Sequence, residues 1–546
     1  MATIRIDQFH GISPRTHPTL LADGMATVAH NCRLKSGKLA PLRQPSILSG
    51  VSLILENGLT DIANAETIHV WKKGDGSCEL ILFPGITWAS EGNIADDGLN
   101  RMIVSGDTGV DFRDSDGNVT HNSPQIYMRR SGNKYVHPLC KNPLPAPHVR
   151  RVGGDIVSDA EIVNKGFKTV SAINALTTAS LVKGWTYICT DAGDIALGLG
   201  GALSVIENTT VTWNGSNWAL ASDYGVSAAH RYTYFFITWV DAYGYESPVS
   251  AASKITKDNG STWIDGDLEY RDGDSVKMEA LGSGVIPAEA VKVRIYKVIT
   301  GTEDGRIQFV KETSATGLDT NPVNFTVKDE DAGEVLNEIV SPFADLRCIL
   351  DVPGAYYVGF SPSHPKTVCF SDVDLIYSWP IAYRYDIKDN IVALAVTSNT
   401  VFALTDGWPY ILSGTDPGGM TVTKLAGPAA CVSERGVCVY KNAVYYAGQQ
   451  GLMTIYNDAD AGTMCANLTD KIFTKEQWLA FNPSSCVMGQ FDGALHLFFT
   501  LADGSHKGLS IDLAENANAV TTHDEVAKCV CVDSKTDKMY YVREGV

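Results

Sequence analysis

Three strand–turn–strand phrases between Ile391 and Thr500 constrain this chain more than any other feature of its sequence. In the first, Val401-Phe402-Ala403-Leu404 leads through the turn Thr405-Asp406-Gly407 into Trp408-Pro409-Tyr410-Ile411-Leu412. The second joins Ala443-Val444-Tyr445-Tyr446 to Leu452-Met453-Thr454-Ile455 across Gly448 and Gly451, and the third joins Cys486-Val487-Met488 to Ala494-Leu495-His496-Leu497-Phe498-Phe499 across Asp492-Gly493. Short apolar runs separated by Gly-bearing turns are the pattern of antiparallel hairpins. The phrases recur roughly every 45 residues, the length of one four-stranded propeller blade. The expected fold class is therefore all-β, a β-propeller built from short antiparallel hairpin blades.

The same pattern occurs earlier, in Thr67-Ile68-His69-Val70-Trp71, the Gly74-Asp75-Gly76 turn and Cys78-Glu79-Leu80-Ile81-Leu82-Phe83. A second early hairpin is expected from Met102-Ile103-Val104 to Val110-Asp111-Phe112 across Gly106 and Gly109. Before these, residues 1–48 read as an extended arm broken by Gly11, Pro14 and Pro18, with a short helix expected over residues 20–31 behind Asp23 and a hairpin at residues 32–42. Alternate prolines at Pro143, Pro145 and Pro147 mark a stiff linker. Beyond it the character changes, which gives four expected regions. Residues 1–148 hold the arm and first blades, and residues 149–227 a small inserted β-rich module. Residues 228–345 form a fibronectin type III-like β-sandwich, from the long run Tyr232 to Val240 and the alternating Val291-Lys292-Val293-Arg294-Ile295-Tyr296-Lys297. Residues 346–546 hold the remaining blades. One helix is expected in the later chain, from Lys475 to Phe481, with Thr474 and Gln477 placed for a capping box. The last strand, Lys538 to Val542, leaves the ring to be sealed by an N-terminal strand or by further chain.

With 546 residues the chain has material for several domains, and a net charge of −18 argues against a surface built to hold nucleic acid, which needs clustered Lys and Arg. No basic leader precedes an apolar core at the N-terminus, so no secretory signal is visible, and no run of 18 apolar residues offers a membrane span. The twelve cysteines stand singly in apolar, strand-like settings and form no CxxC pair, as reduced buried thiols would.

Groupings that carry chemistry are weak. Gly198-Leu199-Gly200-Gly201 lacks the helix that a dinucleotide loop requires. The Asp111 to Gly117 turn resembles the opening of a calcium loop, but Asn122 stands where an EF-hand needs Glu. Asp406, Asp416 and Asp492 sit in turns, where Asp bonds its local backbone, and His496 inside an apolar strand reads as a core residue. No enzyme, cofactor or metal site is expected. Trp213 and Trp218, flanking Asn214-Gly215, have two readings, as core of the small module or as a partner-binding or sugar-stacking edge.

Several phrases in fixed order resemble the tail nozzle (tail tubular) proteins of short-tailed bacteriophages. They are the opening from Ile6 to Arg43, Tyr243-Gly244-Tyr245-Glu246-Ser247-Pro248 and Val293 to Lys297. Further on come Phe370-Ser371-Asp372 with Ser378-Trp379-Pro380, Leu404 to Tyr410, Ser413 to Pro417, Cys431-Val432-Ser433, and Phe473-Thr474-Lys475-Glu476-Gln477-Trp478. The resemblance covers about residues 1–148 and 228–546, while 149–227 looks like a unit that recurs in phage tail and fibre proteins. It implies a structural virion protein, made in the host cytoplasm and built into the tail. Six copies would form a conduit below the portal's adaptor ring, dock fibres or spikes, meet the host envelope, and pass genomic DNA without binding it specifically. Two alternatives are a carbohydrate-binding or glycan-cleaving propeller and a trimeric receptor-binding fibre.

Overall fold

The computed structural model describes residues 9–35, 38–73, 77–92, 99–130, 133–152, 163–181, 185–196, 201–213, 216–220, 231–256, 262–270, 273–299, 306–328, 333–336, 339–427, 429–458, 462–513, 519–533 and 536–543. The chain falls into two compact units, Met1–Asn142 with Ile339–Val546, and Pro143–Glu338.

The first unit is a β-propeller. Its sheets follow one another along the chain, and we number them as blades. Blade 1 combines Thr67–Lys72 and Cys78–Phe83 with an outer strand, Ser52–Leu55, that runs parallel to its neighbour. Blade 2 is Thr87–Glu91, Met102–Gly106, Gln125–Arg130 and Asn133–Pro138. Blades 3 to 6 are four-stranded antiparallel meanders spanning residues 347–386, 391–424, 437–467 and 487–523. Blade 7 has two strands, Cys529–Asp533 and Lys538–Val542. The innermost strand of each blade packs on that of the next, and the strand of blade 7 packs on that of blade 1, which closes a ring of seven.

The unbroken apolar runs of the sequence follow from this arrangement. A blade interior is covered on both faces, so both parities of a strand are buried. In blade 4, Leu394, Val401, Ala403 and Leu412 share a core with blade 3, while Ala393, Phe402, Leu404 and Ile411 share one with blade 5. The hairpin expected from Met102 to Phe112 does not form, because Met102–Gly106 pairs with Thr87–Glu91 and Gln125–Arg130 instead. The Gly74–Gly76 turn lies outside the described residues.

Closure differs from the sealing strand expected for the last blade. The N-terminal arm docks one blade earlier. Gly11 and His30 bridge in parallel to Val520 and Thr522 on the outer strand of blade 6, with Ile12 N donating to Val520 O at 2.9 Å. The arm then forms the Cys32–Lys35 and Lys38–Pro41 hairpin, crosses blade 7 as residues 42–51 and enters blade 1 as its outer strand. It is a strap over the joint. The helix expected over residues 20–31 is absent, and only a 3-10 turn forms at Pro18–Leu20. The strap's backbone groups bond across to the edge of blade 6, which takes the donors and acceptors that a helix would have used.

In the second unit, two sheets enclose one core. One contains Ile264–Asp265, Lys254–Ile255, His148–Arg151, Asp274–Met278 and Val323–Val327, and the other Leu268–Tyr270, Arg231–Asp241, Ala290–Ile299 and Gln308–Ser314. This is the β-sandwich insertion. His148–Arg151 belongs to it, since Val149 is fully buried in its core, so the small module is nested within the sandwich and its strands begin at Val163.

Candidate functional site

Trp213 and Trp218 face each other across the Thr210–Trp213 and Trp218–Leu220 hairpin, rings 5.4 Å apart and edge-on. Both are buried among Ile173, Tyr187, Ile195 and Val211, so they form the module's core and not an exposed edge. The Asn214-Gly215 turn between them, and Gly198 to Gly200, lie outside the described residues. Within the calcium-like turn, Asp114 accepts hydrogen bonds from the backbone of Asp116 and Asn118 and the amide of Asn118, so the carboxylate serves the turn itself. All twelve cysteines are free. Burial pushes the thiols of Cys348, Cys369 and Cys431 up to about 12, which keeps them protonated. Among the described residues no cluster of His, Cys, Asp or Glu is arranged to hold a metal.

Two polar places among the described residues of the propeller bear on function. The first spans its axis. Arg435, just ahead of blade 5, donates through Nη1 to the Glu66 carboxylate at 3.0 Å and to the Lys528 carbonyl at 3.2 Å. Glu66 and Lys528 open blades 1 and 7, and blade 1 lies three steps from blade 5 around the ring. The guanidinium therefore reaches across the centre. Arg347 and Asp107 pair beside it at 3.2 Å, and Lys528 Nζ adds a second cation to Glu66 at 3.0 Å. Burial raises the pKa of Glu434 here, with Arg347 and Arg435 opposing the shift. Arg435 and Lys528 pair with Glu66, and Arg347 with Asp107.

The second is a cleft of about 750 Å³ between blades 6 and 7 under the strap. Its walls can be read from the spacing of the residues that line it. Ala494, His496 and Phe498 on one strand, Ser510 and Asp512 on the next, and Ala519, Thr521 and His523 on the third alternate strictly, so blade 6 presents the side-chain face of a sheet. From blade 7, Lys538, Met539, Tyr540 and Tyr541 line the cleft consecutively. A strand that turns a side-chain face would contribute only every second residue, so this wall is the strand's edge. Residues 42–49 roof the cleft, and Ile47, 95% exposed, marks the opening.

The chemistry of this cleft comes from blade 6. Ser510 Oγ lies 2.9 Å from His496 Nδ1. His523 is 2% exposed, its ring set beside the backbone of Leu509 and Glu525. Burial pushes both imidazoles down to about 4, so both are neutral near pH 7. At the rim, Arg33 pairs with Asp492 at 2.7 Å, and Tyr541 Oη donates to Glu525 at 3.1 Å. Sequence reasoning placed His496 in a core and Asp492 in a turn. It missed the Arg33 pairing, since the two residues are 459 positions apart and nothing local marks the partner. His496 between Leu495 and Leu497, and Ser510 between Leu509 and Ile511, were the available signal. Asp416 serves its own turn, accepting from Gly418 N, whereas Asp406 accepts from the backbone and side-chain amides of Asn390, 16 positions earlier.

No family model and no curated protein matches this chain. Among solved structures it is similar to apo AztD from Citrobacter koseri, at 12% identity over 57% of this chain and 77% of that one, with a TM-score of 0.25. It is also similar to the N-terminal domain of Nup159, at 9% identity over 46% and 59% with a TM-score of 0.24. A third is the WD40 domain of Toxoplasma gondii coronin, at 11% identity over 74% and 85% with a TM-score of 0.24. Similarity at this level carries no chemistry, ligand or partner over to this chain.

Proposed function

We propose that this chain is a structural subunit of a short-tailed phage tail nozzle. Six copies surround a channel through which the genome leaves, beneath the portal's adaptor ring and with fibres or spikes docked on the sides. One observation carries the reading. The phrases behind the resemblance, scattered along the sequence, meet in pairs. The opening phrase meets the Phe473 to Trp478 phrase: Arg15 N donates to Ile472 O at 3.0 Å, and the Gln477 side-chain amide donates to Pro14 O at 3.0 Å. In the sandwich, Glu246 of the Tyr243 to Pro248 phrase accepts from Arg294 Nη1 at 2.8 Å and from Tyr296 Oη at 2.6 Å, both within the Val293 to Lys297 phrase. Trp379 donates to Ile376 O at 2.9 Å and is fully buried, as is Trp478. Contacts of this kind hold a rigid frame, as a tube subunit requires.

Charge supports the same reading. A duplex slides freely only where the wall offers phosphates no strong cationic site, and a chain of net charge −18 repels polyanions. With the propeller axis crossed by Arg435, the channel in this proposal lies between subunits. The purified full-length chain, incubated with labelled duplex DNA at about 0.15 M salt, is expected to leave its mobility unchanged. Retention at micromolar protein would argue against a passive conduit.

A further inference from the structure

The N-terminal arm differs in charge from the body it lies on. From Phe9 to Arg43 the sequence has five Lys or Arg residues and one carboxylate, Asp23, a balance of +4 within a chain of net charge −18. In each ion contact that joins this segment to the propeller among the described residues, the basic group belongs to the arm and the carboxylate to the body. Arg15 lies 3.5 Å from Asp470, Arg33 and Arg43 share Asp492 at 2.7 and 3.9 Å, and His30 Nε2 lies 2.9 Å from Asp524. Hydrogen bonds from Asn31 and His30 hold the Asp524 carboxyl below its ordinary range. We infer that residues 9–43 are an electrostatic latch, which opens from blade 6 as one unit while the propeller stays folded, and so uncovers the outer edge of the Ala519–His523 strand.

Three observations converge on opening as a unit. The apolar hold is small, since Ile12 and Leu34 are buried whereas Leu20 and Val28 are 75% and 73% exposed, and local opening needs least free energy where few apolar contacts are lost. The seat is shared by two stretches that are tied together. The amides of Ile12 and Arg15 donate to the carbonyls of Val520 and Ile472, while Asn31 N donates to Thr522 O and Thr522 N to Ala29 O, all at 2.8–3.0 Å. Within the arm, Ala26 N donates to Gly11 O at 2.8 Å and His10 N to Gly24 O at 2.9 Å, so the first stretch pulls on the second when it lifts. The tether to blade 1 is free, because residues 44–49 make no hydrogen bond among the described residues, and six residues reach up to roughly 20 Å when extended. Ion pairs at the surface are weakened by added salt, since the screening length falls from about 10 Å at 0.1 M to about 3 Å at 1 M. Ionic strength therefore sets how often the latch is open, and with it how often blade 6 presents unpaired edge groups. The latch belongs to a single chain and holds whether or not six copies assemble.

The test is amide exchange of the full-length chain, followed by mass spectrometry at about 0.05 M and about 1 M NaCl. The seat amides of Ile12, Arg15, Asn31 and Thr522 are expected to exchange at one common rate, at least tenfold faster than the Ala494–Thr500 strand of the same blade. Raising the salt should speed all four about fivefold and leave Ala494–Thr500 unchanged. Asp492→Asn, which removes the carboxylate shared by Arg33 and Arg43, should speed the four amides about tenfold at low salt with an unchanged melting transition. Asp492 holds a φ of +49°, a conformation that asparagine also adopts, so the turn itself is kept. Should that variant misfold, the salt dependence of the unmodified chain still decides. The inference is overturned if the four amides exchange at unrelated rates, if they exchange only together with Ala494–Thr500, or if salt leaves them unchanged. Because every readout concerns one chain, failure here leaves the nozzle reading untouched.

Discussion

Gly508 shows how closely blade 6 is fitted. A Cβ at this position would lie 1.9 Å from His523 Cε1, so glycine is the residue that lets the ring lie flat on its neighbouring strand. Gly508→Ala is expected to cost about 1–3 kcal/mol through overpacking, read as a lowered urea midpoint. The histidines themselves give a pH dependence of definite sign. His69 and His496 are half-buried and His523 buried, and desolvation pushes all three down to about 4, below their ordinary value of 6.5. Unfolding therefore takes up protons between these values. Their contribution to stability is complete above pH 6.5 and is lost as the pH falls toward 4. The urea midpoint should drop across that window, and His496→Gln with His523→Gln should flatten the drop. At this scale the sequence was readable where a residue serves its own turn, as Asp416 does with Gly418. It was opaque where the partner is remote, as for Arg33 with Asp492 and Arg435 with Glu66, because pairing across hundreds of residues leaves no local pattern.

Among elements, the strap has the largest consequence. Its backbone docks so closely that a Cβ on Gly11 would sit 2.5 Å from both Val520 N and Val520 O, and Gly11 holds a φ of +83°. Gly11→Ala should release residues 9–31 from blade 6, seen as faster amide exchange in the Ala519–His523 strand. Unchanged exchange would show that the strap is not held there. The Lys475–Leu479 helix illustrates what a local signal can specify. Thr474 Oγ1 accepts from Gln477 N while Gln477 Oε1 accepts from Thr474 N, and both bonds were legible as a spacing of three. Thr474→Ala is expected to cost about 1 kcal/mol. The strap was not legible in the same way. Its residues carry little periodicity, and the groups that straighten residues 20–31 belong to a strand nearly 500 positions later.

Over the whole propeller, repetition made the fold readable. Blades 4 and 5 announce themselves through hairpins with apolar residues at both parities, since each is buried on both faces, while blade 6 has one apolar parity and a second that lines the cleft. The last strand of blade 7, Lys538–Val542, was readable, but the joint with blade 1 was not, because ring closure here rests on packing between sheets and on a strap, neither of which has a sequence period. Arg435 holds the ring from within. Replacing it with Leu leaves Glu66 with one cation fewer and is expected to cost about 2 kcal/mol, read from chemical denaturation. The central claim concerns assembly. Native mass spectrometry of the full-length chain, with electron-microscopy class averages of the same sample, tests it most directly. The account predicts a six-copy ring with sixfold averages and more carboxylates than cationic groups on the channel wall. A monomer, a trimer, or a lumen lined by Lys and Arg would contradict it.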